Sequence, residues 1–396
     1  MICRDVFGLD DAQRKTLFWA GLAVVLAGFD GSVLILELPA VASDFGARLI
    51  DLSNLGSLVT LGALGALPLS TLADRFGRRR LIAVGVGVFS LTNFVSAFAP
   101  SLIALGGMRL VAACFETLVG GVVTALVVEE APRGRRGQAV SALALLFGAG
   151  QAIPVITYPF VAPHWRWLFL VGGIGVGAAP LIWRHLPEGR TWERAHFSGS
   201  ALKLLLDLPW RQRIGILAAS TILGSILYSP AGLFFTVYAT ENLHLSPAAI
   251  SWMIAAAAVA AVVGYIVGGY LTDRYGRRVL GAAVAAVSAV FAAVGFDVGA
   301  PGFIASNILW SWAASAGTPV MGAWSGELYP TRARATAEAV GGVAGAVGGI
   351  AGLQLVGLVA TRVGLGTAIL LAGIAALAGA AVLLLLPETK GKPLSD

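Results

Sequence analysis

The sequence of 396 residues contains few cysteines and few charged residues. It contains two cysteines, Cys3 and Cys114, which cannot supply the disulfide framework of a small secreted domain. Only 12% of the residues are charged, whereas soluble domains carry about 25%. A water-soluble globular protein is therefore excluded, because so few charges cannot cover a surface that faces water.

The sequence also lacks the residue clusters of common enzymes. Its four histidines are not in metal-ligand spacing, and it has neither a His-Glu-x2-His nor a Gly-x-Ser-x-Gly motif. The stretch GGVAGAVGG (341–349) could be read as a phosphate-binding loop, but its glycines recur inside an apolar run and predict close helix packing. We therefore expect no enzyme, no bound metal and no cofactor.

Long apolar runs dominate what is present. Hydrophobic residues make up 57% of the chain, and the mean hydropathy is +0.84. Runs of about 20 apolar residues, the length that a bilayer core requires, recur from end to end. The prediction is an all-α polytopic membrane protein with twelve transmembrane helices, near residues 17–41, 52–73, 81–99, 101–129, 138–162, 165–186, 213–239, 247–271, 279–298, 302–329, 338–362 and 364–386.

The positive charges are distributed unequally between the two ends of these spans. Of the 27 Lys and Arg residues, 23 fall on one side of the predicted membrane. The positive-inside rule then places both termini and the central segment in the cytoplasm, which fits a bacterial inner membrane. The net charge of +6 reflects this topology and does not indicate nucleic-acid binding.

Three motifs occur twice at nearly the same offset. LADRFGRRR (72–80) returns as LTDRYGRRV (271–279), EEAPRGRR returns as ELYPTRAR, and LPE returns near the C-terminus, at offsets of 198 to 200 residues. Such repeats predict one six-helix unit used twice, as in many transporters. We expect an N-terminal bundle over 1–186, a cytoplasmic linker over 187–212, and a C-terminal bundle with a short cytoplasmic tail over 213–396.

Together these motifs resemble the major facilitator superfamily over essentially the whole chain, and most closely its sugar-porter, metabolite–proton symporter and organic-ion branch. The resemblance implies two pseudo-symmetric bundles and a proton-coupled symporter that works by alternating access, as a monomer in membrane lipid. It also implies a gate at the cytoplasmic side, in which arginines clamp carboxylates when the carrier opens outward. The alternative is that these arginines only set the topology. The gate residues are Asp74, Gly77, Arg78, Arg79, Glu129 and Arg136 in the first half, and Asp273, Gly276, Arg277, Arg278, Glu327 and Arg334 in the second.

Ionisable residues inside membrane spans are expensive and are functional candidates by default. Asp30 in the first span and Arg109 in the fourth differ in predicted depth by about 5 Å, at about 1.5 Å per residue, so they can pair if their helices touch. The resemblance implies that Asp30 takes and releases the coupling proton and that Arg109 tunes it; a static pair that orients two helices is the alternative. Glu116 is either a second proton site, a contact for a cationic substrate group, or a satisfied core residue. Glu37 is expected near the outer rim, in contact with water.

A small, partly polar organic solute fits the aromatic and amide side chains predicted inside the spans. The candidates for substrate binding are Gln151, Tyr158, Tyr228, Phe235, Tyr238, Asn307, Trp310 and Gln354. The sequence favours an organic acid or another metabolite over a sugar as substrate, because the seventh span lacks the paired glutamine and the asparagine of sugar porters. The alternative function is a drug or organic-cation antiporter. It is less favoured because the fifth span lacks the glycine-proline motif typical of that class.

Overall fold

The computed structural model describes residues 11–70, 76–131, 136–162, 164–187, 207, 210–329 and 334–390. These residues form helices in the order that the apolar runs predict, and the all-α polytopic fold class is confirmed. Within the described part of the chain, ten helices are long and apolar enough to cross a bilayer.

The first half begins with the 35-residue helix α1. One predicted span, the sixth, is broken by a turn at Gly173 and Ile174 into two short helices that we treat together as α6. The helices are α1 (Asp11–Phe45), α2 (Leu49–Ser70), α3 (Arg78–Ser96), α4 (Leu102–Glu130), α5 (Arg136–Val161) and α6 (Arg166–Gly172 and Gly175–His185).

The second half repeats this order after the central segment. Helix α7 continues into one π-helical turn, Tyr238–Asn242, and short 3₁₀ turns extend α9 and α12. The helices are α7 (Trp210–Val237), α8 (Pro247–Tyr275), α9 (Arg278–Val294), α10 (Ala300–Leu328), α11 (Arg334–Val363) and α12 (Leu365–Val382).

The chain divides into two compact units. The first unit comprises Met1–Phe45 and Leu58–His196, and the second comprises Gly46–Ser57 and Phe197–Asp396. In the first unit α1 packs closely on α5. A Cβ atom on Gly28 would overlap the carbonyl oxygen of Phe147, and one on Gly150 would overlap that of Val25. Glycine is therefore required on both helices for this approach.

The second unit contains the equivalent contact between α7 and α11. A Cβ atom on Gly348 would overlap the carbonyl oxygen of Ile222, and one on Gly352 would overlap that of Ile226. The expectation that the glycines of 341–349 allow close helix packing is confirmed at Gly348, where the backbone of α7 fills the space. The N-terminal segment of α2 belongs to this unit.

Candidate functional site

A buried ion pair lies in the centre of the first unit. The two guanidinium nitrogens of Arg109 donate to the two carboxylate oxygens of Asp30, at 2.8 and 3.0 Å. Their side chains are 2% and 1% exposed, so the pair is isolated from solvent in this structure. A two-pronged contact of this kind fixes orientation as well as charge. The contact predicted from helix depth is confirmed, whereas the role of the pair in proton coupling stays a prediction.

Other side chains complete the surroundings of the pair. Arg109 also donates to the amide oxygen of Asn93 at 3.2 Å, and its guanidinium lies 5.7 Å from the ring centre of Phe169. The carboxyl of Glu116 lies beside that of Asp30. Two carboxyl groups and one guanidinium therefore share one buried site. Two neighbouring carboxyl groups repel each other when both are ionised, so a proton on one of them favours this arrangement.

The helix geometry explains how Glu116 reaches this site. It follows Arg109 by seven residues, which is two turns on the same face of α4. Long side chains in a helix lean toward its N-terminus, so Glu116 extends back in the direction of Arg109. On α1, a Cβ atom at Gly31 would lie 2.7 Å from the Oε1 atom of Glu116. Glycine next to Asp30 therefore leaves room for the second carboxyl.

Asn93 is a member of the site that the sequence analysis missed. It is a fully buried residue of α3, which is otherwise largely apolar. A lone amide in an apolar span is a signal that could have identified it, because a buried amide needs hydrogen-bond partners.

The expectation for Glu37 is wrong. It was placed near the outer rim in contact with water, but its exposed fraction is 0%. Depth along a helix gives no information about what covers the face on which a residue lies.

The arginine-rich helix ends contain the same ion pair in both units. Arg78, at the start of α3, pairs with Glu129 at the end of α4. Arg277, just before α9, donates two hydrogen bonds to Glu327 at the end of α10, at 2.9 and 3.1 Å. Gly77 and Gly276, with φ of 87° and 89°, make the turns that precede these arginines. The repeated phrase and the repeated glutamate thus combine into one feature.

Part of the predicted gate lies outside the described residues. Asp74 is not described, and neither are the side chains of Arg136, Asp273 and Arg334. Arg79 and Arg278 are described, and the backbone N–H of Arg278 donates to Glu388 at 3.0 Å.

In the second unit, Glu388 of the LPET motif near the C-terminus contacts the backbone around Arg277. Its carboxylate accepts hydrogen bonds from the backbone N–H groups of Arg277, Arg278, Thr389 and Lys390, at 3.0–3.2 Å. Partial burial raises the pKa of Glu388, but these hydrogen bonds outweigh it and hold the pKa below its ordinary value of 4.5. The tail carboxylate therefore caps the N-terminus of α9, a favourable position for negative charge. The repeated LPE motif by itself gives no indication of this role.

Replacing Glu388 with Gln is expected to destabilise the second unit by about 1 kcal/mol, the usual worth of a helix cap. Because the folded-state pKa is lowered, the carboxylate stabilises the protein above its unfolded-state pKa. That contribution is lost as the pH falls through the folded value. Thermal unfolding in detergent should show a lower midpoint for E388Q at neutral pH and a smaller difference from wild type in acid. E241Q, which alters an exposed carboxyl, is the control. A midpoint of E388Q equal to wild type at neutral pH would contradict the capping role.

Two of the substrate-binding candidates meet in the second unit. The rings of Tyr228 and Trp310 stack with centroids 6.3 Å apart and planes at 11°. They line a cavity of about 710 Å³ between α7, α9 and α10, whose walls are mainly apolar. Its other polar side chains are Thr221, Ser288 and Thr318. The volume and composition suit a small organic ligand.

The remaining candidates lie elsewhere. In the first unit, Gln151 is exposed and Tyr158 is buried. In the second, Tyr238 packs against Phe296 and Phe303, and Gln354 donates to Asn54 and Ser57 at 3.1 and 2.9 Å. Phe235 and Asn307 are partly buried. None of these six lines the 710 Å³ cavity.

The sequence is matched by a family of known proteins. A family model described as Major Facilitator Superfamily matches residues 20–238 and, a second time, residues 216–396. The chain belongs to the major facilitator superfamily. It is therefore an integral multi-pass membrane protein and a secondary transporter, not an enzyme.

Individual members of the superfamily are similar along most of the chain. The "Probable 4-methylmuconolactone transporter" of Cupriavidus pinatubonensis is 27% identical over 403 residues, which cover 96% of this chain and 92% of the relative. The "Cis,cis-muconate transport protein" of Acinetobacter baylyi is 24% identical over 292 residues, 70% of each chain. The crystal structure of a D-xylose–proton symporter superposes with a TM-score of 0.77 at 20% identity, covering 96% of this chain and 99% of the other. The similarity to the D-xylose–proton symporter shows only that the two proteins share a fold.

Proposed function

We propose that the protein is a proton-coupled symporter that imports a small organic acid across a bacterial inner membrane, with both termini in the cytoplasm. The observation that carries the proposal is the buried cluster of Asp30, Glu116 and Arg109. Its two carboxyl groups share one basic partner, so adding a proton changes which groups are charged and which contacts hold. Ionisable groups at this depth in a membrane protein mark ion pathways more often than structural contacts.

The coupling follows from the change in charge at Asp30. When Asp30 is ionised, its two contacts to Arg109 hold α1 to α4. A proton on Asp30 removes the charge that balances Arg109 and weakens both contacts, because charge-assisted hydrogen bonds are about twice as strong as neutral ones. The protonation state of one residue therefore biases the packing of two helices in the first unit. Such a bias is what alternating access requires of a coupling site.

The substrate class is supported by the cavity in the second unit and by the relatives. A muconate and a methylmuconolactone are named for the two relatives described above. Both molecules are small and unsaturated, so their carbon skeletons can pack against the stacked rings of Tyr228 and Trp310 at one side of the cavity. Hydroxyls of Thr221, Ser288 and Thr318 provide the few polar contacts that orient such a ligand.

Uptake into proteoliposomes tests the proposed function. We expect cis,cis-muconate or an aromatic monocarboxylate to accumulate when the outside is made acidic, and a protonophore to abolish this accumulation. Xylose and a lipophilic drug cation serve as comparison substrates from the other classes. Accumulation that depends on a sodium gradient, or cation efflux driven by proton entry, would contradict the proposal.

We further propose that the Arg78–Glu129 and Arg277–Glu327 pairs form the cytoplasmic gate. Each joins two helix ends within its own unit, and each side chain is only partly exposed. Partly buried ion pairs are stronger than fully exposed ones, and the two-pronged contact of Arg277 with Glu327 adds geometric specificity. The same arginine–glutamate contact holds the repeated motif in each unit. A symmetric gate requires this equivalence.

The variant with both Arg78→Gln and Arg277→Gln is expected to favour the inward-open state, because the gate that closes the cytoplasmic side is weakened. In a protein lacking its native cysteines, a cysteine at Ala40, which lines a pocket near the outer end of α1, reports opening to the outside. Its labelling rate should fall roughly fivefold or more, because a factor of about five corresponds to the low end of typical coupling free energies between two sites. Arg48→Gln alters a mostly exposed arginine and is the control. Labelling that is the same in all three proteins would refute the gate.

A further inference from the structure

Glu37 is a buried carboxyl that the coupling cluster does not use. Its exposed fraction is 0%, and neither carboxylate oxygen has a hydrogen-bond partner among the described residues. An ionised carboxylate without a partner is too costly in such a place, so the group is neutral and carries a proton in this structure. A hydrophobic residue of similar size would fill the same space without this cost. The carboxyl therefore calls for an explanation other than packing.

The position of Glu37 relates it to the coupling cluster. It follows Asp30 by seven residues, so the two side chains share one face of α1. Their Cα atoms are separated by about 10.5 Å along the helix axis, and the Glu37 side chain leans toward the N-terminus, in the direction of Asp30. It lies on the side of the cluster toward Phe45, away from the arginine-rich helix ends. One face of α1 thus carries two carboxyl groups in line along the expected path from the outside.

Three charged groups on the neighbouring helices are engaged elsewhere. On α4, Arg109 pairs with Asp30, and Glu116 lies beside Asp30. On α6, Arg166 pairs with Asp44 at the outer end of α1, at 2.6 Å. The other charged or titratable residues of the helices packed on α1 are Arg78, Arg79 and Arg80 on α3, Cys114, Glu129 and Glu130 on α4, Arg136 and Tyr158 on α5, and Arg184 and His185 on α6.

We propose that Glu37 is a second proton-binding residue, which passes its proton to Asp30 during transport. The O–H group of Glu37 gives its proton to a chain of water molecules that enters when the outside opens, and this chain delivers a proton to a carboxylate oxygen of Asp30. Glu37 is left as a carboxylate and Asp30 becomes a neutral acid that releases Arg109. Glu37 then takes a new proton from the outside when that side opens to water. The transport step rests on the proposed symport, whereas the proton on Glu37 does not.

Infrared spectroscopy tests the proton on Glu37 without any substrate. Wild type, E37Q and E241Q are purified in lipid nanodiscs, and the C=O stretching band of protonated carboxyl groups is recorded at neutral pH. Gln has nearly the shape of a neutral Glu, so E37Q is expected to fold. We expect a buried-carboxyl component that is present in wild type and in E241Q and absent from E37Q. The same spectrum in all three proteins would overturn the proposal.

Transport measurements test the transfer. The initial rate of uptake driven by an acidic outside should fall roughly tenfold or more in E37Q, because a positioned proton donor has been removed. Counterflow, which needs no net proton movement, should remain at the wild-type rate. Acid-driven uptake at the wild-type rate in E37Q would overturn the transfer. If wild type itself shows no acid-driven uptake, the proposed symport fails, and the infrared result alone decides whether Glu37 binds a proton.

Discussion

Asp30→Asn is expected to abolish accumulation of the solute against its gradient while sparing exchange. Asn is nearly isosteric with Asp but cannot bind and release a proton in the physiological range, so the contact of residue 30 with Arg109 no longer changes with protonation. A protein that still alternates can exchange solute across the membrane, but it cannot couple this to proton entry. We expect the accumulation ratio in proteoliposomes with an acidic outside to fall to about one, the value for passive equilibration.

Counterflow of labelled against unlabelled solute supplies the internal comparison for this variant. Asp51→Asn is a matched control, because Asp51 is also an aspartate paired with an arginine, but its side chain is 34% exposed and its partner Arg48 is 78% exposed. D51N should accumulate solute like wild type. Accumulation by D30N at the wild-type level would show that Asp30 is not the coupling residue.

The fold could be predicted from the sequence because the cost of burying charge defines the ends of membrane helices. The predicted and observed bounds of the fourth helix, 101–129 and Leu102–Glu130, differ by one residue at each end. Helix α1 is longer than its apolar run and extends to Asp11 and Phe45, since helix formation does not stop where hydrophobicity does. The break within α6 was not predicted, because backbone turns at Gly173 leave the hydropathy unchanged.

The site was predictable only as far as depth along a helix determines it. Depth placed Asp30 beside Arg109, and the repeated motif indicated arginine–glutamate pairs, which are present as Arg78–Glu129 and Arg277–Glu327. What depth cannot give is the direction in which a side chain points. The burial of Glu37 and the contact of Glu116 with Asp30 depend on how α1 rotates against α4 and α5. That rotation is set by packing between segments far apart in sequence.

The strong dependence of Arg109 on its two carboxyl neighbours leads to a second large expected effect. Arg109 is 2% exposed. In D30N, Arg109 loses its ionised partner. Glu116 lies beside residue 30 and can ionise in place of Asp30. In E116Q the original pair with Asp30 remains. Each single variant therefore leaves Arg109 with one carboxylate, and each is expected to fold.

The double variant D30N/E116Q leaves Arg109 buried with only neutral neighbours. Removing the partner of a buried ion costs about 3–5 kcal/mol, so the loss should exceed the sum of the two single variants by roughly that amount. Size-exclusion chromatography and thermal unfolding in detergent should show mostly aggregated or much less stable protein. Adding Arg109→Met removes the unpaired charge, and the triple variant should regain a monodisperse, folded state without recovering proton-driven uptake. A double variant that is no less stable than the sum of its parts would show that Glu116 does not substitute for Asp30 beside Arg109.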